Sequence, residues 1–245
     1  MKICSIPSTF LPIIGGAEIQ CHNFCNQLVK KKIFVDVWCL KKNSIPNKKY
    51  NQKFFNMFIL NFIYACEYYL GLNTGYFLKL YLKKIDNKFH YDVYHFHSLN
   101  YKLLLILREL KNLNKKVVVT FQGADIQIKK EIGYGYRLKK KYDKLLKKVI
   151  KRIDIVQAIS NNIVVDLKKL GVQKKNIIQI PNTVYTKKIK NFKPSKNKTK
   201  YLKLLTVARF AEKKKGFDFI EFLVNQLKNK INFKWTVIGR DSHKI

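Results

Sequence analysis

Residues 12–18, Pro-Ile-Ile-Gly-Gly-Ala-Glu, place a glycine pair between an apolar strand predicted over 2–6 and a helix predicted over 17–31. With no Cβ at Gly15 or Gly16, backbone N–H groups can approach an anion closely, and a helix N-terminus behind them favours negative charge. Taken alone, such a pair equally marks a tight turn. A second stretch, Arg209 to Gly216 with Lys215 inside it, follows a later strand and sets cations beside another glycine. Together the two stretches suit a phosphate-bearing ligand; the alternative for Arg209 and Lys215 is an ordinary basic turn in a lysine-rich chain. Acid–base chemistry would fall to His97 and Asp125, which stand at predicted strand ends, with Gln122, Gly123 and Ser160 as further cleft candidates. His97 either lines a cleft or is a strand-end histidine bonded locally, His95 is structural, and Ser160 is also a good N-cap for the helix after it.

The elements that must position these residues alternate. Strand-like runs at 2–6, 33–40, 92–96, 116–121, 154–159 and 176–180 are separated by helical or irregular segments. That alternation predicts an α/β fold with a parallel sheet covered on both faces. In such sheets ligands bind outside the carboxyl ends of the strands. Residues 184–200 lack periodicity and read as a linker between a first domain, 1–183, and a second α/β unit, 201–245, with strands 202–208 and 233–238 around a helix 217–228.

Fifty Lys+Arg against fifteen Asp+Glu give a formal charge of +35 over 245 residues. Nucleic acid or an anionic membrane surface are the partners such a charge suggests. Only Arg108, Arg137, Arg152, Arg209 and Arg240 are arginine, however, and heavy use of Asn, Ile, Tyr and Phe fits an A+T-rich coding sequence. Base and phosphate readers lean on arginine, so nucleic acid is disfavoured and much of the charge reads as solvated surface. Five cysteines without Cys-x-x-Cys indicate a reducing compartment. Ala17, Cys21, Phe24, Cys25 and Leu28 share one helical face, so the thiols read as core packing and zinc is not expected. Pro7, Pro12 and the glycine pair break the N-terminal apolar run, so no signal peptide is read. Asn56, Asn61 and Glu67 interrupt the oily run 54–72, which reads as core helices or as an element resting in a lipid interface. A helix predicted over 136–153 pairs an apolar stripe with six lysines and carries the same two readings.

Six stretches in order resemble glycosyltransferase family 4. They are Pro12-x-x-Gly15-Gly16-Ala17-Glu18, Asp92-Val-Tyr-His-Phe-His97, Thr120-Phe-Gln-Gly-Ala-Asp125, Asp154-Ile-Val-Gln-Ala-Ile-Ser160, Ile180-Pro-Asn182, and Val207-Ala-Arg209 with Lys215-Gly216-Phe217. The resemblance implies a GT-B fold of two Rossmann-like domains and transfer of a sugar from a nucleotide-sugar donor to a glycan or lipid-linked acceptor, with retention of configuration, in cell-surface polysaccharide synthesis. It gives Gly15 and Gly16 the donor diphosphate and sugar, gives Arg209 and Lys215 the diphosphate, and adds Asn182 to the cleft. Breaking the sugar–phosphate bond leaves charge on the diphosphate that preorganised cations and N–H dipoles can stabilise. No Asp-x-Asp occurs, in keeping with protein cations in place of a divalent metal, and no cofactor is expected.

Departures from the family are also visible. Gln122 stands where many members have histidine, Thr183 where they often have glycine, and Ala208 before the arginine. Glu18 is expected to anchor the glycine loop or to complement the helix dipole. The paired-glutamate motif and most of the nucleoside pocket of the family would follow residue 245, so the second domain is expected to be truncated. The expected location is the cytoplasm, with or without peripheral attachment to the inner face of the membrane. Alternatives are an inactive remnant acting as a binding module, and a basic nucleic-acid-binding protein.

Overall fold

The computed structural model describes residues 1–42, 45, 47–184, 200–208, 210 and 215–241, which fall into two compact units, Met1–Val184 and Tyr185–Ile245. Most of the expected linker and Arg209 lie outside the described residues.

Seven parallel strands build the first unit: β1 Lys2–Pro7, β2 Phe34–Cys39, β3 Asn51–Phe54, β4 Val93–His97, β5 Val117–Phe121, β6 Ile155–Ala158 and β7 Ile177–Gln179. Their spatial order is β3-β2-β1-β4-β5-β6-β7. The runs rich in Val, Ile and Phe form the central strands because a parallel sheet is buried on both faces. Strand β3, Asn-Gln-Lys-Phe, carries no such signal and sits at the edge. Register sets Pro7 beside His97, and His97 beside Thr120.

Side chains alternate across the sheet. Ile3, Val35 and Val37 join one buried cluster with Cys21 and Cys25 of helix α1, Gly16–Lys30. Phe24 and Leu28 pack against that cluster, so the predicted cysteine-bearing stripe does face the core. Cys4, Ile6, Tyr94 and Phe96 join the larger cluster on the opposite face. There α3 Gly75–Phe89, α4 Tyr101–Asn112, α5 Lys140–Val149 and α6 Asn161–Lys169 contribute apolar side chains. All five cysteines are free and buried.

The oily stretch resolves into α2, Met57–Ala65, and a π-helical turn, Cys66–Leu70. Leu60, Ile63 and Cys66 face the core, whereas Phe58, Phe62, Tyr69 and Leu70 are exposed. No helix among the described residues is long and apolar enough to cross a membrane. The helix expected over 136–153 is shorter. Tyr136–Leu138 forms a 3-10 turn after two left-handed glycines, and Lys139 is extended ahead of α5. Arg137 folds that turn back, its Nε donating to Asp143 Oδ1 at 2.7 Å and its Nη1 to the Ile126 carbonyl at 3.0 Å.

In the second unit, β8 Leu202–Val207 and β9 Phe233–Ile238 pair in parallel, with α7 Phe217–Leu227 between them in sequence. Phe217 and Ile220 are buried, while Leu205, Val207 and Ile238 are exposed.

One ion cluster ties the π-helical turn to α4. Arg108 donates through Nη1 and Nη2 to Glu67 at 2.8 and 2.6 Å and through Nε to Glu109. The Glu67 and Glu109 side chains are only 8% and 4% exposed, so each depends on the guanidinium for compensation. Replacing Arg108 by Met is expected to cost about 3–5 kcal/mol at neutral pH by leaving buried charge uncompensated. Urea unfolding at neutral pH checks this.

Candidate functional site

Strands β1, β4, β5, β6 and β7 all end on one side of the sheet, and the segments leaving them gather most of the sequence-predicted residues. After β1, the loop 8–15 is tied down at both ends. The Ser8 N–H donates to the His97 carbonyl at 3.1 Å, and Thr9 Oγ1 donates to Glu18 in the first turn of α1. Glu18 thus anchors the loop. Gly15 is extended and is not a left-handed turn residue; a Cβ there would lie 2.3 Å from Glu18 Oε2. A Cβ at Gly16 would meet nothing within 4 Å. Within this unit, then, position 15 is crowded only by the movable end of the Glu18 side chain, and nothing packs against position 16.

After β5, Gly123 adopts φ +117°, a conformation that disfavours any residue with a Cβ. Asp125, fully buried, holds this turn: its carboxylate accepts from the backbone N–H of Gln122 at 3.1 Å, of Gly123 at 3.0 Å and of Leu99 at 3.2 Å. It therefore joins the segments after β4 and β5. Burial raises its pKa to about 6 while the hydrogen bonds pull it down.

His97 is only 6% exposed and lies between Phe24 of α1 and His95, with ring centroids 5.6 and 4.1 Å away. Its Nε2 is buried without a hydrogen-bond partner. Burial pushes His95 down to about 4 and His97 well below its ordinary value, the latter helped by the neighbouring His95. Both rings are neutral at pH 7. His95 Nε2–H donates to Thr120 Oγ1 at 2.8 Å, Thr120 to Gln157 Oε1 at 2.9 Å, and Gln157 Nε2 to the Ile180 carbonyl at 3.1 Å. This chain of polar groups crosses three strands, and no spacing rule marks it in the sequence.

It ends beside Asn182, whose amide donates to Gln122 Oε1 at 2.9 Å. The neighbouring Thr183 exchanges hydrogen bonds with Gln20 of α1, both at 3.3 Å. Gln122, Gly123, Asp125 and Asn182 are thus brought together. Ser160 occupies the N-cap position of α6 with extended backbone, yet its side chain makes no capping hydrogen bond there. Lys215 is exposed next to Gly216, which caps α7 in a left-handed conformation, while Arg209 lies outside the described residues.

Cys21 and Cys25 sulfurs and a His97 ring nitrogen approach within 4.8 Å of one another. Cys25 Sγ donates to Ser5 Oγ at 3.3 Å, and burial pushes the Cys21 thiol well up. A protonated, buried thiol packs well and binds metal poorly.

A cavity of about 470 Å³ opens against the ends of β1 and β2, between the loop 8–13 and the first turn of α4. Tyr64, Tyr68, Tyr101, Tyr136 and Tyr142 line it, with Lys41, Lys102 and Lys139. Tyr142 also donates to the Asp125 carbonyl at 2.9 Å, which links the cavity to the β5 turn. Sequence reasoning missed these tyrosines. Their only linear signal is abundance, because they come from five separate elements.

Asp125 generates a pH prediction. A carboxyl raised above its ordinary value in the fold contributes stability below that ordinary value and loses it as pH rises through the folded value. Between about pH 4 and 6 this contribution declines. The stability deficit of Asp125→Asn should therefore be larger at pH 4 than at pH 7 in urea unfolding. A carboxyl 13C titration should find its midpoint near 6.

The chain resembles known proteins over nearly its whole length. It aligns with the lipopolysaccharide outer core galactosyltransferase WaaB at TM-score 0.61 and 16% identity, covering 99% of this chain and 62% of that one. Sucrose-phosphate synthase of Thermosynechococcus elongatus gives TM-score 0.64 at 14% identity, with 98% and 62% covered. Anabaena HepE in complex with UDP gives 0.60 at 11%, with 98% and 70% covered. The chain thus spans 62% of the length of the first two. The fold is that of the GT-B glycosyltransferases. No curated protein sequence matched. A family model described as Glycosyltransferase Family 4 matches residues 14–188, most of the chain and every strand of its seven-stranded sheet after β1, and the chain belongs to that family.

Proposed function

We propose that the protein transfers a sugar from a nucleotide-sugar donor to a glycan or lipid-linked acceptor, with retention of configuration, in the synthesis of a cell-surface polysaccharide. The observation that carries this reading is Gly16, a bare backbone position at the start of α1 whose glycine no packing in its own unit demands. In a family 4 chain, a diphosphate approaching that N-terminus accounts for it. HepE, of similar fold, was solved with UDP, which favours a nucleotide donor.

Gly15 and Gly16 then offer N–H dipoles to the donor, and Arg209 and Lys215 supply cations for the departing diphosphate. These groups act where charge grows as the sugar–phosphate bond breaks. Gln122 and Asn182 face the donor sugar. Buried and neutral, His97 supports the floor beneath α1, and Asp125 holds the loops; both are positioning residues in this scheme and neither exchanges a proton with substrate. The acceptor enters the tyrosine-lined cavity of the first unit. Peripheral attachment to an anionic membrane follows from the exposed Phe58, Phe62, Tyr69 and Leu70, which stand in a chain of net charge +35.

Two measurements test this. Release of nucleoside diphosphate from a panel of nucleotide-sugars should depend on Gly16: Gly16→Val should keep the wild-type melting temperature and lose turnover, whereas normal turnover would reduce the pair to a turn. Arg209→Ala and Lys215→Ala should each lower turnover on the order of 10²-fold. Binding to phosphatidylglycerol vesicles should be strong at low salt, fall as salt rises, and drop further for Phe58→Ser with Phe62→Ser. Indifference to such vesicles at low salt would remove the membrane from the reading.

A further inference from the structure

Helix α2 and the π-helical turn after it present two different aromatic faces. Inward, Met57, Tyr64 and Tyr68 wall the cavity. Outward, Phe58 is 82% exposed and Tyr69 68%, and the exposed apolar surface continues onto α3 with Tyr76 and Phe77. The tyrosines inside form a connected set. Tyr64 stacks on Tyr68 at 5.0 Å, and Tyr101 meets both edge-on at 5.7 and 4.9 Å. Five of the chain's 14 tyrosines line this one cavity, far beyond what composition supplies.

Charge distinguishes the cavity in a different way. Three lysines among its lining residues are ordinary for this chain, but its lining residues include no Asp or Glu. Lys102 is half-buried; its Nζ donates to Asn61 Oδ1, a neutral partner, at 2.7 Å, and lies 5.1 Å from the centre of the Tyr64 ring. Nothing on the wall neutralises it. The ammonium is held in place and stands to gain from an anion, as does the positive potential of Lys41 and Lys139 nearby.

An uncharged glycan would make no use of these ammonium groups, and a free phosphate would make none of the aromatic walls. We infer that the cavity takes an anionic amphiphile: an acceptor carried on an apolar chain through a phosphate or diphosphate. The inference rests on the transferase reading above and narrows its acceptor. The tyrosines cover the apolar portion, Lys41, Lys102 and Lys139 meet the phosphate, and the outward face of α2 holds the cavity at a lipid surface, where such a molecule lies.

The test is calorimetric titration of the 245-residue chain with three probes: farnesyl diphosphate below its micelle concentration, farnesol, and inorganic diphosphate. Farnesyl diphosphate should bind at least tenfold more tightly than either half. The Lys41→Gln/Lys102→Gln variant, checked for wild-type circular dichroism, should lose at least tenfold for farnesyl diphosphate and keep farnesol unchanged; Lys139→Gln is a second, independent charge removal. Tyr64→Ala/Tyr68→Ala should weaken both lipids. Inorganic diphosphate as tight as the lipid would make this an anion site only, and farnesol as tight would make it an apolar site only. Unaffected lysine variants, or displacement of the lipid by saturating UDP, would put the ligand elsewhere. Each of these outcomes overturns the inference. Because no sugar transfer is read, UDP binding measured alongside keeps the two questions apart. Failure to bind UDP with the lipid still bound counts against donor binding by these 245 residues and leaves the acceptor class standing. UDP binding without lipid binding counts against the acceptor class alone.

Discussion

Parallel pairing of β1 with both β2 and β4 constrains everything at the site. The chain leaves β1 toward β2 and β3 on one side and returns to build β4 to β7 on the other. A crossover helix must therefore lie on one face after β1 and on the opposite face after β4. The two buried clusters record that division: α1 covers the Val35–Val37 side, and α4 covers the Phe96 side. Where the two connections diverge, the carboxyl ends of β1 and β4 are left open. The glycine loop and the tyrosine cavity both begin there.

An open sheet end exposes backbone and invites collapse, and this protein braces it with buried polar groups. Asp125 gathers three N–H donors from two loops, and the His95–Thr120–Gln157 chain ties β4, β5 and β6 to the Ile180 carbonyl. Unpaired, each of these groups would cost roughly 1–3 kcal/mol; paired, they fix the loops in one arrangement. The same burial that makes them good braces makes them poor proton carriers. Both histidines are held neutral, and the Asp125 carboxyl has no exposed surface through which to meet a substrate.

Much of this architecture is legible in the residues. Apolar, β-branched residues foretell β5 and β6, and the alternation of elements foretells the parallel sheet. Cys21, Cys25 and Phe24 announce the buried face of α1 by their helical spacing. Strand β3 is not legible, because an edge strand with one polar face resembles a loop. The shortening of the 136–153 helix follows from Gly133 and Gly135, both left-handed, and from the Arg137 contacts that bend the chain before Lys140. Strand-end position pointed to His97 and Asp125 as chemical groups; whether a strand-end side chain turns toward the ligand or under the loop depends on packing partners distant in sequence. The tyrosine cavity is invisible for the same reason, since Tyr64, Tyr101 and Tyr136 share no local pattern.

The charge of +35 is misleading if read as a uniform coat. The acidic residues are few, and the fold engages most of the described ones internally. Glu67 and Glu109 are bound to Arg108, Asp36 accepts from Tyr91 at 2.5 Å, Asp86 from Tyr94 at 2.8 Å, and Asp154 from the Val117 N–H at 2.7 Å. Glu18 holds Thr9, and Asp143 is shared by Arg137 and Lys147. With the carboxylates committed to structure, lysines elsewhere go uncompensated by default, and positive potential becomes a background over much of the surface. Attraction of anions is then cheap and unselective. What can select among anions is the shape and chemistry of the uncharged wall beside the lysines, and in the first unit that wall is tyrosine.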